Sequence, residues 1–519
     1  MKVLLVTSAL EKETVERYGK ESSVDTDVLA LNVAVAAFLT PKAIIEALKK
    51  TNLKSYDVIL TPGLICGDTA AISKAVGIPA FKGPRFDADL SIVLDSLGQT
   101  KLSTTVPAFD LLREKLQEKA LREIEKTEQN RAKLLKAPGS MLIGDVAVGK
   151  VFPMRVLAEI VDAPSMDEDA IEELAKRYVK AGADIVDVGM IAGESHPADA
   201  NRIVTLVKRA VNVPVSIDSF DPAEIREAVH AGADLVLSGD AGNIEAIAPY
   251  ASKVAVVVIP TNQRQGFFPK KVEERVAFLE QTIAKAKQLG ITKSIADLIL
   301  DPTDILESFT SFRLFAQRNP DVPLFVGVSN VTELIDADSV GVNALLAWLS
   351  SEIGASILLA TEKSDKAKGS IGEEVMAAKM MFLTQKRGSV PKDLGIDLLV
   401  LKDKRNREQP YDGAIEQKAS VVCAEKRCPG ELDPSGAFRI LLDRVNGNIV
   451  AAHYMSQKMD KPDKIIKGKT ADDIYTKIAQ IGLAPQPLHL AYLGSELAKA
   501  EIALRTGKEY IQDAAMFAK

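Results

Sequence analysis

A repeated alternation of short apolar runs with helical segments constrains this chain more than any other feature of its sequence. Between residues 181 and 242, three apolar runs are each too short for a helix and end on a polar or glycine-rich break. They are Ile185–Val188, Val213–Ile217 and Leu235–Leu237. Segments with apolar residues at helical spacing separate them. This pattern is typical of buried parallel strands joined by right-handed helical crossovers.

The same rhythm continues on both sides and reaches eight repeats between Ser140 and Arg387. Eight strand–helix units in a segment of this length predict a closed (β/α)₈ barrel. The eight predicted strands are Val156–Val161, Asp184–Val188, Val213–Ile217, Asp234–Leu237, Val254–Ile259, Leu298–Leu300, Leu324–Val328 and Ser356–Leu359.

Different patterns flank the predicted barrel. Residues 1–109 alternate four short apolar runs with helical segments, which predicts a small doubly wound α/β domain. Residues 110–139 become rich in Glu, Lys and Arg and predict a helical linker. We therefore expect an α/β fold class, with the barrel at residues 140–387 between this domain and a C-terminal α+β domain at residues 388–519.

The C-terminal segment shows strand patterns at Asp397–Lys402, Phe438–Asp443 and Ile449–Tyr454. Asn446–Gly447, between the last two, is a strong hairpin signal. Cys423 and Cys428 leave a metal site open, but their spacing and the absence of a nearby histidine argue against one.

Composition limits the cellular compartment and the classes of partner that we expect for this protein. The net charge of −6 and a pI near 5.6 argue against a nucleic-acid partner held by a general electrostatic field. No window of the sequence reaches the roughly 18 apolar residues that a membrane span requires. Three cysteines in the whole chain argue against a disulfide framework and favour a reducing compartment. We expect a soluble cytoplasmic protein without a membrane partner, and a homodimer stays open.

Polar residues cluster where the predicted barrel strands end. That edge carries the ligand sites of (β/α)₈ barrels, and a packed barrel core does not require acids and amides there. Asp221 is the exception, because it precedes Pro222 and is predicted to cap a helix. The candidate site residues are Glu159, Asp162, Asp187, Asp218, Ser238, Asp240, Asn262, Asp301, Asn330, Glu362 and Lys363.

Several of these strand ends resemble motifs of the pterin-binding barrels, namely dihydropteroate synthase and the methyltetrahydrofolate-type methyltransferases. DIVDVG followed by AGES is similar to the synthase's second-strand motif, PVSIDSF to its third-strand motif, and LILDP to its sixth. GVSN stands where the synthase has Ser-Arg-Lys. The asparagine of this motif makes it more similar to the corresponding motif of the methyltransferases. The three-domain arrangement also resembles the archaeal dihydropteroate synthase-related proteins, a family linked to tetrahydromethanopterin.

The resemblance implies a pterin ligand and assigns roles to the strand-end residues. Asp301 is the first candidate to accept from the pterin N3–H and 2-amino group, because a carboxylate accepts two adjacent donors side by side. Asp218 would address the opposite side of the pyrimidine ring, and Asn330 the pyrazine nitrogens. Where the synthase has a magnesium-binding asparagine, this chain offers Glu159 and Asp162, which suit magnesium equally well. The remaining expected pterin contacts are Asp187, Ser238, Asp240 and Asn262.

The leaving-group side of the synthase site matches less closely. The synthase's last strand gives arginine and histidine to a pyrophosphate, whereas this chain has Lys363. Arg264, with Lys270 and Lys271, follows the fifth strand. These residues form either a binding site for an anion or an exposed basic loop. His196 is either a proton donor to a leaving phosphate or a solvated side chain.

Two functional classes remain open. In the first, the protein is an enzyme that joins a dihydropterin methyl diphosphate to an arylamine with magnesium, in tetrahydromethanopterin or folate-type cofactor biosynthesis. In the second, it is a pterin-binding protein or a methyltransferase component. No Asp-x-His-x-x-Gly sequence surrounds any of its four histidines, which argues against a corrinoid held by this chain.

Overall fold

The computed structural model describes residues 1–33, 35–402, 411, 414, 420–424, 433–455 and 461–517. Its internal contacts divide the chain into two compact units. One unit comprises Met1–Glu125 and Pro391–Val422, and the other comprises Lys126–Val390 and Cys423–Lys519. The domain limits given above stay predictions. Cys423 is exposed and Cys428 lies outside the described residues, so the cysteine pair also stays untested.

The first unit contains a four-stranded parallel sheet in the order β2-β1-β3-β4. The chain leaves the central strand β1 for β2 on one side and returns to β3 on the other, as the doubly wound prediction requires. Apolar residues of β1 alternate between the two faces, with Leu4 and Val6 in one core and Val3 and Leu5 in the other. The strands are β1 (Lys2–Ser8), β2 (Asp25–Leu31), β3 (Val58–Thr61) and β4 (Ala80–Lys82), and the helices are α1 (Lys12–Lys20), α2 (Pro41–Leu48), α3 (Ala70–Val76), α4 (Leu90–Asp95) and α5 (Ala108–Gln129).

A short hairpin precedes the barrel and closes its amino-terminal end. After α6 (Arg131–Leu134), the strands β5 (Met141–Ile143) and β6 (Val146–Val148) pair antiparallel. Ile143 and Val148 are buried in the same apolar cluster as the barrel interior. The hairpin therefore covers the amino-terminal end of the barrel, so we expect a ligand to enter at the carboxyl-terminal end of the strands.

Eight parallel strands close the barrel in sequence order, which confirms the predicted (β/α)₈ architecture. Leu157, Ile185, Leu235, Val257 and Ile357 point into one continuous apolar core. The strands are β7 (Arg155–Ile160), β8 (Ile185–Gly189), β9 (Val215–Asp218), β10 (Leu235–Gly239), β11 (Ala255–Val258), β12 (Ser294–Ala296), β13 (Leu324–Gly327) and β14 (Ala355–Ala360). The helices are α7 (Glu168–Ala181), α8 (Pro197–Ala210), α9 (Pro222–His230), α10 (Ile244–Ala251), α11 (Val272–Gln288), α12 (Ile305–Arg318), α13 (Ser329–Thr332), α14 (Ser339–Glu352) and α15 (Ser370–Arg387).

Two of the predicted strands are wrong. The sixth barrel strand is Ser294–Ala296, and the predicted run Leu298–Leu300 follows it without strand pairing, although Leu298 and Leu300 are fully buried. The run was predicted as a strand because its residues are apolar, and they are apolar because two of them are buried outside a strand. Asp397–Lys402 forms no strand either, and its apolar residues are largely exposed.

The C-terminal part of the second unit is an antiparallel sheet covered by two helices, which agrees with the α+β prediction. β15 (Ala437–Asp443) and β16 (Asn448–Tyr454) form the predicted hairpin, and β17 (Lys464–Gly468) adds a third strand. α16 (Ala471–Gln480) and α17 (Pro487–Thr506) share an apolar core with the sheet. In the part of the chain that is described, every helix is too short or too polar to cross a bilayer.

Candidate functional site

Three carboxyl side chains from consecutive strands meet at the carboxyl-terminal end of the barrel. Glu159 of β7, Asp187 of β8 and Asp218 of β9 each place one carboxylate oxygen within 4.8 Å of the other two. Their strands pair in register, with Glu159 opposite Asp187 and Asp218 opposite Gly189. The parallel ladder therefore sets the position of this carboxyl triad, which we define as Glu159, Asp187 and Asp218.

Burial dominates the electrostatics of the triad. Desolvation raises the pKa of each of the three carboxyls, and the neighbouring carboxyls raise the pKa of Glu159 and Asp187 further. Asp187 has no exposed surface, and its Oδ1 accepts from the Ser216 hydroxyl. Its Oδ2 is buried without a hydrogen-bond partner among the described residues. One of the two Asp187 oxygens therefore lacks the donor that would normally stabilise an ionised carboxylate.

A glycine makes room for the Glu159 carboxylate. A Cβ at Gly189 would lie 2.5 Å from Oε1 of Glu159 and 3.0 Å from the carbonyl oxygen of Ile160. Only glycine leaves that volume empty, so the end of β8 is shaped around the acid of β7.

Asp297 joins this group, although the sequence patterns did not single it out. It follows β12 directly, and its backbone N–H donates to the carbonyl of Val258 on β11 (3.0 Å). Burial raises the pKa of Asp297 to about 7, and the charge of Asp218 contributes to the shift. Its position became recognisable only once β12 was known to end at Ala296.

Asp301 lies further along the same loop and has a different environment. Its Oδ1 accepts from the backbone N–H (3.0 Å) and hydroxyl (2.7 Å) of Thr303, and its Oδ2 accepts from Nζ of Lys270 (2.9 Å). Thr303 and Lys270 lower the pKa of Asp301 to about 2. Asn330 reaches the same loop by donating from Nδ2 to the carbonyl of Leu300 (3.1 Å).

Lys363 stands at the end of β14, beside the triad. Its Nζ donates to Oδ2 of Asp162 (2.9 Å), and the metal role expected for Asp162 beside Glu159 stays a prediction. Glu333 positions this loop, because it accepts from the backbone N–H of Lys363 (2.9 Å) and of Ser364 (3.1 Å). Sequence patterns gave no indication of this role for Glu333.

Asp240 and its neighbours form a closed hydrogen-bond network after β10. Asp240 is buried, and its carboxylate accepts from the backbone of Gly242, Asn243 and Gln263 and from the hydroxyl of Thr261, at 2.7–3.0 Å. All of its acceptor capacity serves the loops, so the structure gives it a supporting position. Ser238 is buried near by and its carbonyl accepts from Nδ2 of Asn243 (3.0 Å), while Oδ1 of Asn262 is buried without a partner among the described residues.

The predicted anion-binding residues lie around the mouth of the barrel. Arg264 is exposed, and in the described residues its guanidinium has no hydrogen bond or ion pair. His196 contacts Glu194 through Nε2 (2.6 Å), and this carboxylate raises the pKa of His196. Glu362 accepts from Arg177 (2.7 Å) and is almost fully buried. Asp221 caps α9 by accepting from the N–H of Ala223 (2.9 Å), which confirms its predicted structural role.

Three family models match separate parts of this chain. A model of pterin binding enzymes matches residues 162–351, the PterinBD-DUF4346 family matches residues 432–513, and a family of unknown function (DUF6513) matches residues 2–85. Among solved structures, the dihydropteroate synthase of Xanthomonas albilineans in complex with 7,8-dihydropteroate is 18% identical (49% of this chain, 99% of its own; TM-score 0.37). The Stenotrophomonas maltophilia enzyme is 20% identical (49% and 100%; TM-score 0.38).

One curated relative covers the whole molecule. The uncharacterized protein MJ0107 of Methanocaldococcus jannaschii is 40% identical over 100% of this chain and 99% of its own length. A Ycf91-like protein of Nostoc is 32% identical over 108 residues, which are 16% of this chain and 84% of its own. This chain therefore belongs to the same family as MJ0107, and residues 162–351, which form most of its barrel, match the pterin binding enzyme family.

Proposed function

We propose that this protein binds a reduced pterin at the open end of its barrel and joins the pterin, through its methylene carbon, to an arylamine. One observation carries the proposal: the carboxyl groups of β8, β9 and the segment after β12 converge there. A pterin presents adjacent N–H donors on its pyrimidine edge, and carboxylates are the side chains that accept two such donors side by side. Charge-assisted bonds of this kind are about twice as strong as neutral ones.

Two acids after β12 compete for the pyrimidine edge. Asp301 was the first choice from sequence, but Thr303 and Lys270 already occupy its oxygens. Asp297 lies nearer the barrel centre, where it interacts with Asp218, and one of its oxygens accepts from the N–H of Ile299 (2.7 Å). We assign the edge to Asp297 and retain Asp301 as the alternative.

The proposed reaction displaces a diphosphate. The arylamine nitrogen attacks the methylene carbon, the carbon–oxygen bond breaks, and its electron pair leaves on the diphosphate while the amine loses a proton. Positive charge near the departing oxygens lowers the barrier. Lys363 and Arg264 are the proposed sources of that charge, and His196 the proposed proton donor. The product would belong to tetrahydromethanopterin or folate-type cofactor synthesis.

A second candidate function has an observation in its favour. Lys363 and Lys270, the cations beside the acids, are already paired with Asp162 and Asp301. A strongly acidic centre suits a pterin without a diphosphate better than one that carries it. The alternative is therefore a pterin-binding protein or a methyltransferase component.

A diphosphate-release assay separates the two candidates. The full-length protein is incubated with a dihydropterin methyl diphosphate, magnesium, and either an arylaminoribitol-type or an aminobenzoate acceptor. We expect acceptor-dependent release, which Lys363→Ala and Arg264→Ala should slow at least tenfold because each removes charge from the leaving group. Lys285→Ala is the matched control, since Lys285 lies in the last turn of α11 and pairs with Glu245 of α10 rather than with a candidate site residue. Absence of release with both acceptors would favour the binding protein.

A further inference from the structure

The carboxylate of Asp240 joins two loops of the barrel mouth, residues 240–243 after β10 and residues 261–267 after β11, which we call the paired loops. Its Oδ1 accepts from the backbone N–H of Gly242 (2.8 Å) and of Asn243 (3.0 Å) in the first loop. Its Oδ2 accepts from the hydroxyl of Thr261 (2.9 Å) and the backbone N–H of Gln263 (2.7 Å) in the second. Hydrogen bonds to an ionised acceptor are strong, so the position of the second loop depends on an acid of the first.

The second of the paired loops is a tight turn that carries Arg264. Asn262 and Phe267 exchange two backbone hydrogen bonds (2.9 and 3.0 Å), and Gly266 completes the turn with φ +61°. The stem of Arg264 lies beside Gly242 of the first loop. A Cβ built at Gly242 would lie 3.3 Å from Cγ of Arg264 and 2.8 Å from Oδ1 of Asn262. Glycine at this position therefore leaves room for the arginine stem between the two loops.

The guanidinium of Arg264 has support but no partner of its own. The side chain is exposed, and within the described residues it makes no hydrogen bond or ion pair. Arginine presents five N–H donors in a planar fork that matches phosphate oxygens. A free surface arginine loses rotamer entropy when it binds an anion, whereas a stem packed beside a second loop has already lost part of that entropy. The paired loops therefore prepare a cation for an anionic ligand.

We propose that Asp240 is a positioning residue, which fixes Arg264 for a diphosphate group at the mouth of the barrel. A carboxylate has about four acceptor sites, and the loops occupy four, so Asp240 itself does not contact the ligand. The pterin contact that the resemblance implied for Asp240 is replaced by this indirect role. The identity of the anion rests on the proposed function, in which the pterin carries a diphosphate.

Binding of inorganic pyrophosphate to the full-length protein tests this role without turnover. Isothermal titration calorimetry is performed in EDTA, so that only cations of the protein bind the anion. We expect saturable binding that Arg264→Ala weakens at least tenfold. Asp240→Asn should weaken it at least fivefold, because the amide directs a donor at donors and releases the second loop. The double variant should match Arg264→Ala within twofold, since no guanidinium is left to position.

Gly242→Ala tests the same contact through volume instead of charge. Its Cβ would press on Asn262 and Arg264, while φ at Gly242 lies outside the left-handed region, so the backbone itself accommodates alanine. We expect a loss of pyrophosphate affinity of at least threefold, with unchanged pterin affinity and an unchanged unfolding midpoint. Gly341→Ala, in α14, is the matched control, because a Cβ there would meet no atom within 4 Å. It should leave all three measurements unchanged.

Each other outcome has a definite meaning. The proposal is overturned if the wild type does not bind pyrophosphate, if Asp240→Asn or Gly242→Ala binds it as the wild type does, or if the losses of Asp240→Asn and Arg264→Ala add in the double variant. Circular dichroism checks folding, and Gly242→Ala decides alone where Asp240→Asn does not fold. Pyrophosphate binding that depends on Asp240, without acceptor-dependent diphosphate release, would refute the proposed reaction but not the positioning role. Release that Asp240→Asn and Gly242→Ala leave unchanged would refute only that role.

Discussion

At the scale of single residues, two acids that follow β12 differ in their burial and in their hydrogen-bond partners. Asp297 and Asp301 are four residues apart, yet burial raises the pKa of Asp297 to about 7 while Thr303 and Lys270 lower that of Asp301 to about 2. Asp301 is therefore a permanent anion that is already engaged. Asp297 is the acid whose charge a bound ligand would stabilise.

Asp297→Asn should weaken the binding of a reduced pterin about fivefold or more. The amide would turn a donor towards the donors of the pterin edge, and a buried mismatch of this kind costs roughly 1–3 kcal/mol. Asp301→Asn is the matched control and should lower affinity less than threefold. Isothermal titration calorimetry of the two variants compares them. The reverse order of effects would return the assignment to Asp301.

The affinity for pterin should also depend on pH through Asp297. Only the ionised carboxylate accepts from both donors, so affinity should increase as the pH rises through about 7. Asp297→Asn should reduce this increase, because an amide does not titrate in this range, while Asp218, whose pKa burial also raises to about 7, retains part of it. Calorimetry at pH 6, 7 and 8 provides the measurement. An affinity that stays constant in the wild type would contradict the assignment.

The sequence located some site residues better than others for a physical reason. Asp187 lies within the run IVDV and Asp218 ends the run VSID, and the β-branched residues of both runs made these strands recognisable. Asp297 ends the run SIA, which is short and contains two small residues, while the more apolar LIL that follows is buried outside any strand. Hydrophobicity therefore predicted the sixth strand at Leu298–Leu300. Because the strand is in fact Ser294–Ala296, the acid that follows it, Asp297, was not identified as a site residue.

At the scale of elements, capping side chains fix the helices that surround the site. Asp221 caps α9 and also accepts from the hydroxyl of Ser195, in the loop after β8. Asp167 caps α7 by accepting from the N–H of Ala170 (2.8 Å). The two caps are chemically alike, but only Asp221 connects a helix to a second loop of the barrel mouth.

Asp167→Ala should cost about 1 kcal/mol of stability, and Asp221→Ala about 1 kcal/mol more. The first loses a cap, and the second also loses a hydrogen bond between loops. Urea unfolding followed by the fluorescence of Trp348, which lies in α14, reports on the barrel. Equal losses in the two variants would indicate that the contact with Ser195 adds nothing.

Some elements were not recognisable from sequence because they are too short for a periodic pattern. The hairpin β5–β6 has three residues in each strand, and its burial against the barrel interior contributes to its stability. The run at Asp397–Lys402 shows the opposite error. It is apolar enough to predict a strand, but it has no partner strand among the described residues, and Leu399 and Leu401 are more than half exposed.

At the scale of the whole molecule, the first compact unit is built from two distant parts of the chain. Leu394 and Ile396, from the segment 391–402, are buried. Gly395 between them has φ +91° and lies against the carbonyl of Leu116 in α5, where a Cβ would collide with the oxygen. Periodicity describes local structure only, so the sequence patterns assigned this segment to the C-terminal domain rather than to residues 1–125.

Leu394→Ala should destabilise the first unit by about 2–5 kcal/mol, because it leaves a cavity in a buried position. Hydrogen–deuterium exchange in β1 should accelerate, while the unfolding of the barrel, followed by Trp348, should keep its midpoint. Leu399→Ala, in the same segment but 53% exposed, is the control and should leave both measurements unchanged. A shift of the barrel midpoint alone would place Leu394 in the core of the other unit.

The return of the chain to its first unit also determines the order in which the parts of the two units are synthesised on the ribosome. Residues 126–390 emerge after residue 125 and before Leu394, and at roughly 5–20 residues per second this interval lasts on the order of tens of seconds. The amino-terminal unit must wait through this interval without Leu394 and Ile396. The barrel, although encoded later, is thus available in full before the unit that precedes it can be completed. Nascent chains arrested before residue 391 should therefore protect the barrel from proteases more strongly than the amino terminus.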